Sequence, residues 1–335
     1  MCSLRALPNT GTTRQPPFYI NSARIGIVKS NQQSILNYHS VFRLTVNSQQ
    51  STVNYNSGAT GIDMISDFNL NPLNPLQPLY KSLPNRHPLH PLQNLLPNFL
   101  QLMKFGVIVF PGSNCDRDVV WVTQGLLHQP TRMIWHEDTD ISDIDIIVIP
   151  GGFSYGDYLR CGAIARFSPA MQATAEHAKQ GKPVLGICNG FQVLTEAGLL
   201  PGALVRNAGL NFICDRTSLK VERSNTPWTA AYSSGEIIDL AIAHGEGNYY
   251  ADADTLAELE EHKQVLFRYC TEAGKISDAG NPNGSLNNIA GICNRAGNVL
   301  GMMPHPERAS DPMLGETDGM KLFEGLLMAS VAAVL

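Results

Sequence analysis

The 335-residue chain predicts an α/β protein: a mostly parallel central sheet with helices on both faces, carried by residues 103–335. Three observations predict it. From Met103 onward short aliphatic runs alternate with amphipathic stretches of helical period, as a parallel sheet covered on both faces requires. The runs end in glycine- and proline-rich turns, where sites form beyond the carboxyl ends of strands. Charge divides unevenly. Residues 1–102 hold seven basic residues (Arg5, Arg14, Arg24, Lys29, Arg43, Lys81 and Arg86) against Asp63 and Asp67, leaving 17 basic and 27 acidic residues for 103–335. Such asymmetry marks a tail attached to a domain.

The elements follow in order. Residues 107–110 are a strand ended by Pro111-Gly112-Ser113-Asn114. Residues 116–128 place apolar side chains at 119, 120, 122, 126 and 127, one face of a helix. Strands are expected at 132–135 and 144–149, the second ended by Pro150-Gly151-Gly152. Residues 169–179 are helical with Pro169 in the first turn. A buried strand at 184–187 hands over to a helix at 191–197, which Gly198 ends. Strand-like runs at 218–222, 237–243, 265–269, 289–293 and 299–303 have less helix between them, and 318–331 closes the chain as a helix. Residues 1–102 contain no Glu, ten Pro and 13 Asn, with prolines at 72, 75, 78, 84, 88, 91 and 97. Proline removes donors and fixes φ, so this extension is expected to lack a folded core, with a polyproline-like stretch. It reads as a targeting segment, as a docking tract, or as sequence upstream of a natural start at Met103; the strand that opens at once after Met103 favours the last.

Several function classes drop out. No run of 18 apolar residues could span a membrane as a helix. The acidic domain argues against non-specific nucleic-acid binding. Seven Cys with no C-x-x-C pair, mostly in apolar runs, fit free thiols in a reducing, cytoplasmic setting and neither a zinc ribbon nor a thioredoxin-like site. Residues 1–21 lack the apolar core of a secretory signal, and no Gly-Lys-Ser/Thr loop offers a phosphate cradle.

The chemistry concentrates at three strand ends. Gly186-Ile187-Cys188-Asn189-Gly190-Phe191-Gln192 sits where a strand meets a helix, the thiol counterpart of the G-x-S-x-G elbow. Glycines permit the tight turn. The helix N-terminus favours a thiolate, and the N–H groups beyond the sulfur can face an oxyanion. A lone Cys is more often a buried structural residue, and the Gly-flanked turn overrides that prior. Met303-Pro304-His305-Pro306-Glu307-Arg308 ends another strand. Pro306 biases His305 toward extended backbone, so that residues 305 and 307 share a face. Glu307 then orients one imidazole nitrogen and leaves the other for Cys188. The bland alternative is a strand-capping His305 beside a Glu307–Arg308 pair. Pro150-Gly151-Gly152-Phe153-Ser154-Tyr155-Gly156-Asp157 lies on the same rim, where a backbone N–H can turn toward an acyl oxygen; an ordinary glycine turn is the alternative. Weaker candidates are His244-Gly245-Glu246-Gly247-Asn248, with a structural turn as the default; Cys115 and Cys161 in rim loops, neither with an adjacent base in sequence; Arg160, Arg206 and Arg216 as anion ligands, with solvated surface as the default; and the His87/His90 pair, whose metal-like spacing lies in the proline-rich tail without further ligands.

Gly186-x-Cys188-x-Gly190-x-Gln192 together with His305-x-Glu307 resembles the class I, triad-type glutamine amidotransferases, and the resemblance covers Met103 to the C-terminus almost continuously. It implies a flavodoxin-like architecture and a type 1 amidotransferase domain over 103–335. It implies that Cys188 attacks the side-chain amide of glutamine, His305 shuttles the proton, and Glu307 orients His305. Gly152 and Asn189 would supply oxyanion N–H groups, and Gln192 would position the substrate. It further implies that ammonia passes to a separate ATP-dependent synthase subunit converting formylglycinamide ribonucleotide to formylglycinamidine ribonucleotide in purine biosynthesis, with a third, small subunit bridging the two. ATP and magnesium would belong to that partner, with no cofactor or metal in this chain. Two other readings compete: a peptidase-like thiol hydrolase, which Gln192 and the His-Pro-Glu spacing disfavour, and a non-catalytic regulatory module, which the intact Cys, His and Glu set disfavours.

Overall fold

The computed structural model describes residues 102–332, together with 29–30, 33–37 and 43–46; side chains are described over 102–329. The chain separates into two units, Met1–Leu89 and His90–Leu335. In the first, β1 (Lys29–Ser30), β2 (Gln33–Asn37) and β3 (Arg43–Val46) form a three-stranded antiparallel sheet. The expectation that residues 1–102 lack a folded core falls mostly on residues outside the described ones. Local runs such as Arg43-Leu44-Thr45-Val46 carry strand-forming residues that a composition rich in Asn and Pro conceals. The proline-rich stretch 69–98 and the His87/His90 pair lie outside the described residues.

The second unit opens with β4 (Phe105–Val109) and α1 (Asp116–Val120), followed by β5 (Thr131–Trp135) and β6 (Ile146–Ile149). Next come α2 (Pro169–Lys179), β7 (Val184–Ile187), α3 (Asn189–Glu196) and β8 (Ala203–Val205). The later elements are β9 (Ile213–Val221), β10 (Ile237–His244), β11 (Asn248–Tyr250), α4 (Ala253–Glu261), β12 (Val265–Cys270), β13 (Ile289–Cys293), β14 (Val299–Met302) and α5 (Met320–Ala332).

Nine strands make one sheet in the order β10-β9-β12-β13-β14-β7-β6-β4-β5. The strands β5-β4-β6-β7-β14 pair in parallel, in the 2-1-3-4-5 order of flavodoxin-like sheets. Every residue of β6, β7 and β14 is buried, which is why these strands read as unbroken apolar runs. The strands with little helix between them, β13, β12, β9 and β10, extend the sheet antiparallel from β14. The far edge strand β10 nevertheless reaches back to the site: Ala241 forms an isolated bridge with His305, whose N–H donates to Ala241 O at 2.8 Å. β8 and β11 form a separate two-stranded sheet, and Tyr249 on β11 stacks on Phe191 of α3, ring centroids 6.0 Å apart. Among the described residues no helix is long and apolar enough to cross a membrane.

The expected helix at 116–128 is α1 continued by a wider π-type turn, Trp121–Leu126. A side chain at Gly125 would meet the Trp121 ring at 2.7 Å, so this bulky ring lies across the turn, and the Leu127 N–H reaches Val122 O at 3.0 Å.

Candidate active site

β7 delivers Cys188 to the sheet's rim. Its N–H donates to Met302 O at 2.8 Å, continuing the ladder with β14, and then the chain turns at φ 53°, ψ −107° into α3. That positive φ at a non-glycine residue is the strained bend expected of a nucleophile elbow. The bend presses α3 onto β6 so closely that a Cβ at Gly190 would lie 2.0 Å from Ile149 O. Cys188 caps α3 without a side-chain hydrogen bond, and its carbonyl accepts from the N–H groups of Phe191 and Gln192 at 2.9 and 3.2 Å, which leaves those of Asn189 and Gly190 at the start of the helix nearest the sulfur. The thiol is 5% exposed and donates to Ala243 O at 3.7 Å.

The adjacent strand β14 delivers His305. Its backbone is extended, φ −102°, ψ 91°, as the following proline demands. Glu307, however, sits in a 3-10 turn, Pro306–Arg308, and not in a continued strand. The turn still brings the two side chains together: His305 Nδ1 lies 2.6 Å from Glu307 Oε1, with both residues buried. Glu307 thus fixes the ring and leaves Nε2, which is buried and has no hydrogen-bond partner. Burial opposes a charged imidazole, yet the Glu307 carboxylate and then the Cys188 sulfur outweigh it, so the pKa of His305 is raised well above 6.5.

The loop after β6 forms the facing wall. Gly152 has φ 153° and bridges Ser113, and the N–H of Phe153 donates to Gly112 O at 2.9 Å. The N–H groups of Asn114 and Cys115 both donate to Gly151 O, at 3.1 and 3.0 Å. Asn189 ties α3 to this loop: its Oδ1 accepts from the Ser154 N–H at 3.1 Å and from the Ser154 hydroxyl, and its Nδ2 donates to Asp157 Oδ1 at 3.2 Å. Gln192 Oε1 accepts from Asn189 Nδ2 at 2.9 Å, and Gln192 Nε2 donates to Glu246 O at 2.6 Å. Its amide therefore joins two walls of the site.

The structure brings Cys188, His305, Gly152, Asn189 and Gln192 to one rim, with Glu307 behind His305. It also brings in what the sequence left unassigned. Cys115 lies against the His305–Glu307 pair, and Arg308 Nη2 donates to its sulfur at 3.0 Å. Ala241 and Ala243 of β10 supply carbonyls to His305 and Cys188. His244 is buried, accepts from Asn283 Nδ2 at Nε2 (2.9 Å), and burial pushes its pKa down to about 4. The three arginines keep their default reading: Arg160 pairs with Glu196 at 2.6 Å, Arg206 with Glu246 at 3.8 Å, and Arg216 with Asp239 at 3.4 Å.

A buried thiol at an elbow, an oriented imidazole on the next parallel strand and helix N–H groups at the sulfur can together carry out acyl transfer through a thioester. Comparison with known proteins agrees. Residues 103–321 match the CobB/CobQ-like glutamine amidotransferase domain family. The phosphoribosylformylglycinamidine synthase subunit PurQ of Acaryochloris marina is 72% identical over 230 residues, covering 69% of this chain and 98% of that one. The subunit PurQ of Gloeobacter violaceus is 70% identical over 232 residues, covering 69% of this chain and 100% of the relative. Among solved structures, a chain of PurLQS from Thermotoga maritima superposes with a TM-score of 0.61 at 40% identity, covering 69% of this chain and all of that one.

Proposed function

Because this chain belongs to the CobB/CobQ-like glutamine amidotransferase domain family, we propose that Cys188, His305 and Glu307 are its nucleophile, base and orienting carboxylate. The chain is a glutamine amidotransferase and acts as the glutaminase subunit of phosphoribosylformylglycinamidine synthase, the activity of relatives 70–72% identical along almost their whole length. The observation that carries the residue assignment is the delivery of Cys188 and the buried His305–Glu307 pair by two neighbouring parallel strands.

The Cys188 sulfur attacks the carboxamide carbon of glutamine, and its proton passes to His305 Nε2. The N–H groups of Gly152 and Asn189 receive the oxyanion. Collapse breaks the C–N bond, His305 returns the proton to the departing ammonia, and a γ-glutamyl thioester remains. His305 then takes a proton from water, whose oxygen attacks the thioester; the C–S bond breaks, glutamate leaves, and His305 returns the proton to the Cys188 sulfur. Glu307 holds Nδ1–H and stabilises the imidazolium. Gln192 keeps the α3 and Glu246 walls at a fixed spacing around the substrate.

Ammonia passes to the synthase subunit of the complex, PurL in the Thermotoga assembly. A small third subunit bridges the two, and ATP and magnesium act on the synthase subunit. The cytoplasm is the reading for location, supported by the thiols at 115, 161, 188, 270 and 293, which form no disulfide among the described residues.

The test is Cys188→Ala in the full chain assembled with its synthase partner. Product formation from glutamine is expected to fall by at least about a thousandfold, while free ammonia still supports synthesis. Surviving glutamine-dependent synthesis would remove Cys188 from the nucleophile's role.

A further inference from the structure

One polar side chain touches the His305–Glu307 pair and takes no part in these steps. Cys115 ends the loop after β4, is 2% exposed, and accepts from Arg308 Nη2 at 3.0 Å. Arg308 is itself held by Asp118, Nε to Oδ2 3.4 Å. The Cys115 sulfur, a His305 ring nitrogen and a Glu307 oxygen all lie within 4.8 Å of one another. Such a spacing suits a metal ion, but a guanidinium already occupies the sulfur and Glu307 Oε1 already binds Nδ1, so a second cation would meet repulsion and a spent ligand. The sulfur instead stands beside the imidazole, within 4.8 Å of one of its nitrogens. Gly151 leaves the space for this: a Cβ there would sit 2.8 Å from His305 Cε1, 3.1 Å from Cys115 Sγ and 3.4 Å from Cys188 Cβ. Around one missing side chain, the base and two cysteines converge. Burial pushes the Cys115 thiol up, against the pull of its contact with His305, so it keeps its proton and is no rival nucleophile.

We propose that Cys115 is a positioning residue for the base: its thiol, clamped by Arg308, holds the His305 ring at the angle from which Nε2 serves Cys188. The inference rests on the glutaminase reading of Cys188, His305 and Glu307. Glu307 fixes only one nitrogen of the ring and leaves a rotation about that hydrogen bond. A second contact from the side of β4 removes it. A turn of the ring moves Nε2 away from the sulfur it must deprotonate, and proton transfer tolerates little misplacement.

The experiment compares Cys115→Ala and Cys115→Ser in the full chain assembled with its synthase partner. Cys115→Ala is expected to lower kcat for glutamine hydrolysis by about tenfold with KM within about twofold, the signature of lost orientation and not of lost binding. The alkaline limb of kcat/KM reports loss of the single proton that Cys188 and His305 share. Contact with the Cys115 sulfur favours the charged ring, so removing it moves that limb to lower pH. Cys115→Ser, which keeps a small donor and acceptor, is expected to restore most of kcat. Alkylation of Cys188 by iodoacetamide, followed peptide by peptide by mass spectrometry, reads the same dyad without glutamine and is expected to slow in Cys115→Ala. An Ala variant with unchanged kcat, limb and alkylation overturns the proposal. So does a loss of activity that only tracks a lower melting temperature, with no shift of the limb and no rescue by Ser. If the unaltered chain fails to hydrolyse glutamine, the functional reading falls, and the alkylation rates still decide the role of Cys115.

Discussion

At Cys188 the backbone turns with φ 53°, a conformation that costs a non-glycine residue of order 1–3 kcal/mol and persists only where neighbours impose it. Here the neighbours are the Met302 carbonyl on one side and the close contact of α3 with β6 on the other. Gly190→Ala should therefore be severe, because its Cβ would meet the backbone Ile149 O at 2.0 Å, an atom that cannot swing aside. We expect a loss of about 2 kcal/mol or more in urea unfolding, together with most of the glutaminase activity; near-normal values of both would show that the elbow can relax. That Cys188, His305 and Glu307 come together could be read from sequence because glycines and prolines punctuate their strand ends. Cys115 could not: its guanidinium partner stands 193 residues away, and no spacing rule spans that distance. The register of 305 and 307 was legible only as proximity. Strand geometry and a 3-10 turn both place i and i+2 within reach, and Pro306 chose the turn.

The helices show where local signals suffice. α2 has its full signature, Pro169 in the first turn and a Ser168 cap whose Oγ accepts from the Met171 N–H at 3.2 Å, and its bounds were expected as observed. Ser168→Ala should cost about 1 kcal/mol and lower the melting temperature, with kcat unchanged because α2 lies outside the site; an unaltered melting curve would mean that the cap contributes nothing. α4 was missed for the opposite reason. It carries a good cap, Asp252 accepting from the Thr255 N–H at 2.7 Å, but its one buried residue is Leu259, so no apolar stripe announces it. β8 and β11 are three residues each, too short for any period to emerge. The π-type turn after α1 arises from one ring lying over one glycine, a packing event that an amphipathic pattern does not encode.

For the molecule as a whole, two buried histidines set the response to acid. Burial, aided at His177 by Lys182 and at His244 by His305, pushes both down to about 4. At these two sites the unfolded chain, with histidines near 6.5, therefore binds more protons than the folded one across about pH 4 to 6.5. Their contribution to stability is complete above that window and is lost as the pH falls through it. His305 works in the reverse sense: its raised pKa stabilises the fold below 6.5 and loses effect as pH climbs through the folded value. The melting temperature is expected to drop from pH 6.5 to 4, and more shallowly in His177→Asn; identical slopes would remove His177 from this account. The parallel half of the sheet was visible as apolar runs, since burial on both faces leaves no alternation. The curl of the antiparallel half was not, because it depends on where strands meet and not on what they contain.

That curl has a consequence of its own. Ala241 and Ala243, on the outermost strand, grip His305 and Cys188 near the middle of the sheet, so the border folds over and latches onto the centre. The two halves cannot ripen separately. A polypeptide lacking the last-joined strand would hold its sulfur and its ring without the latch, like a door hung but never shut. Reactivity should thus emerge in a single step with completion of the fold.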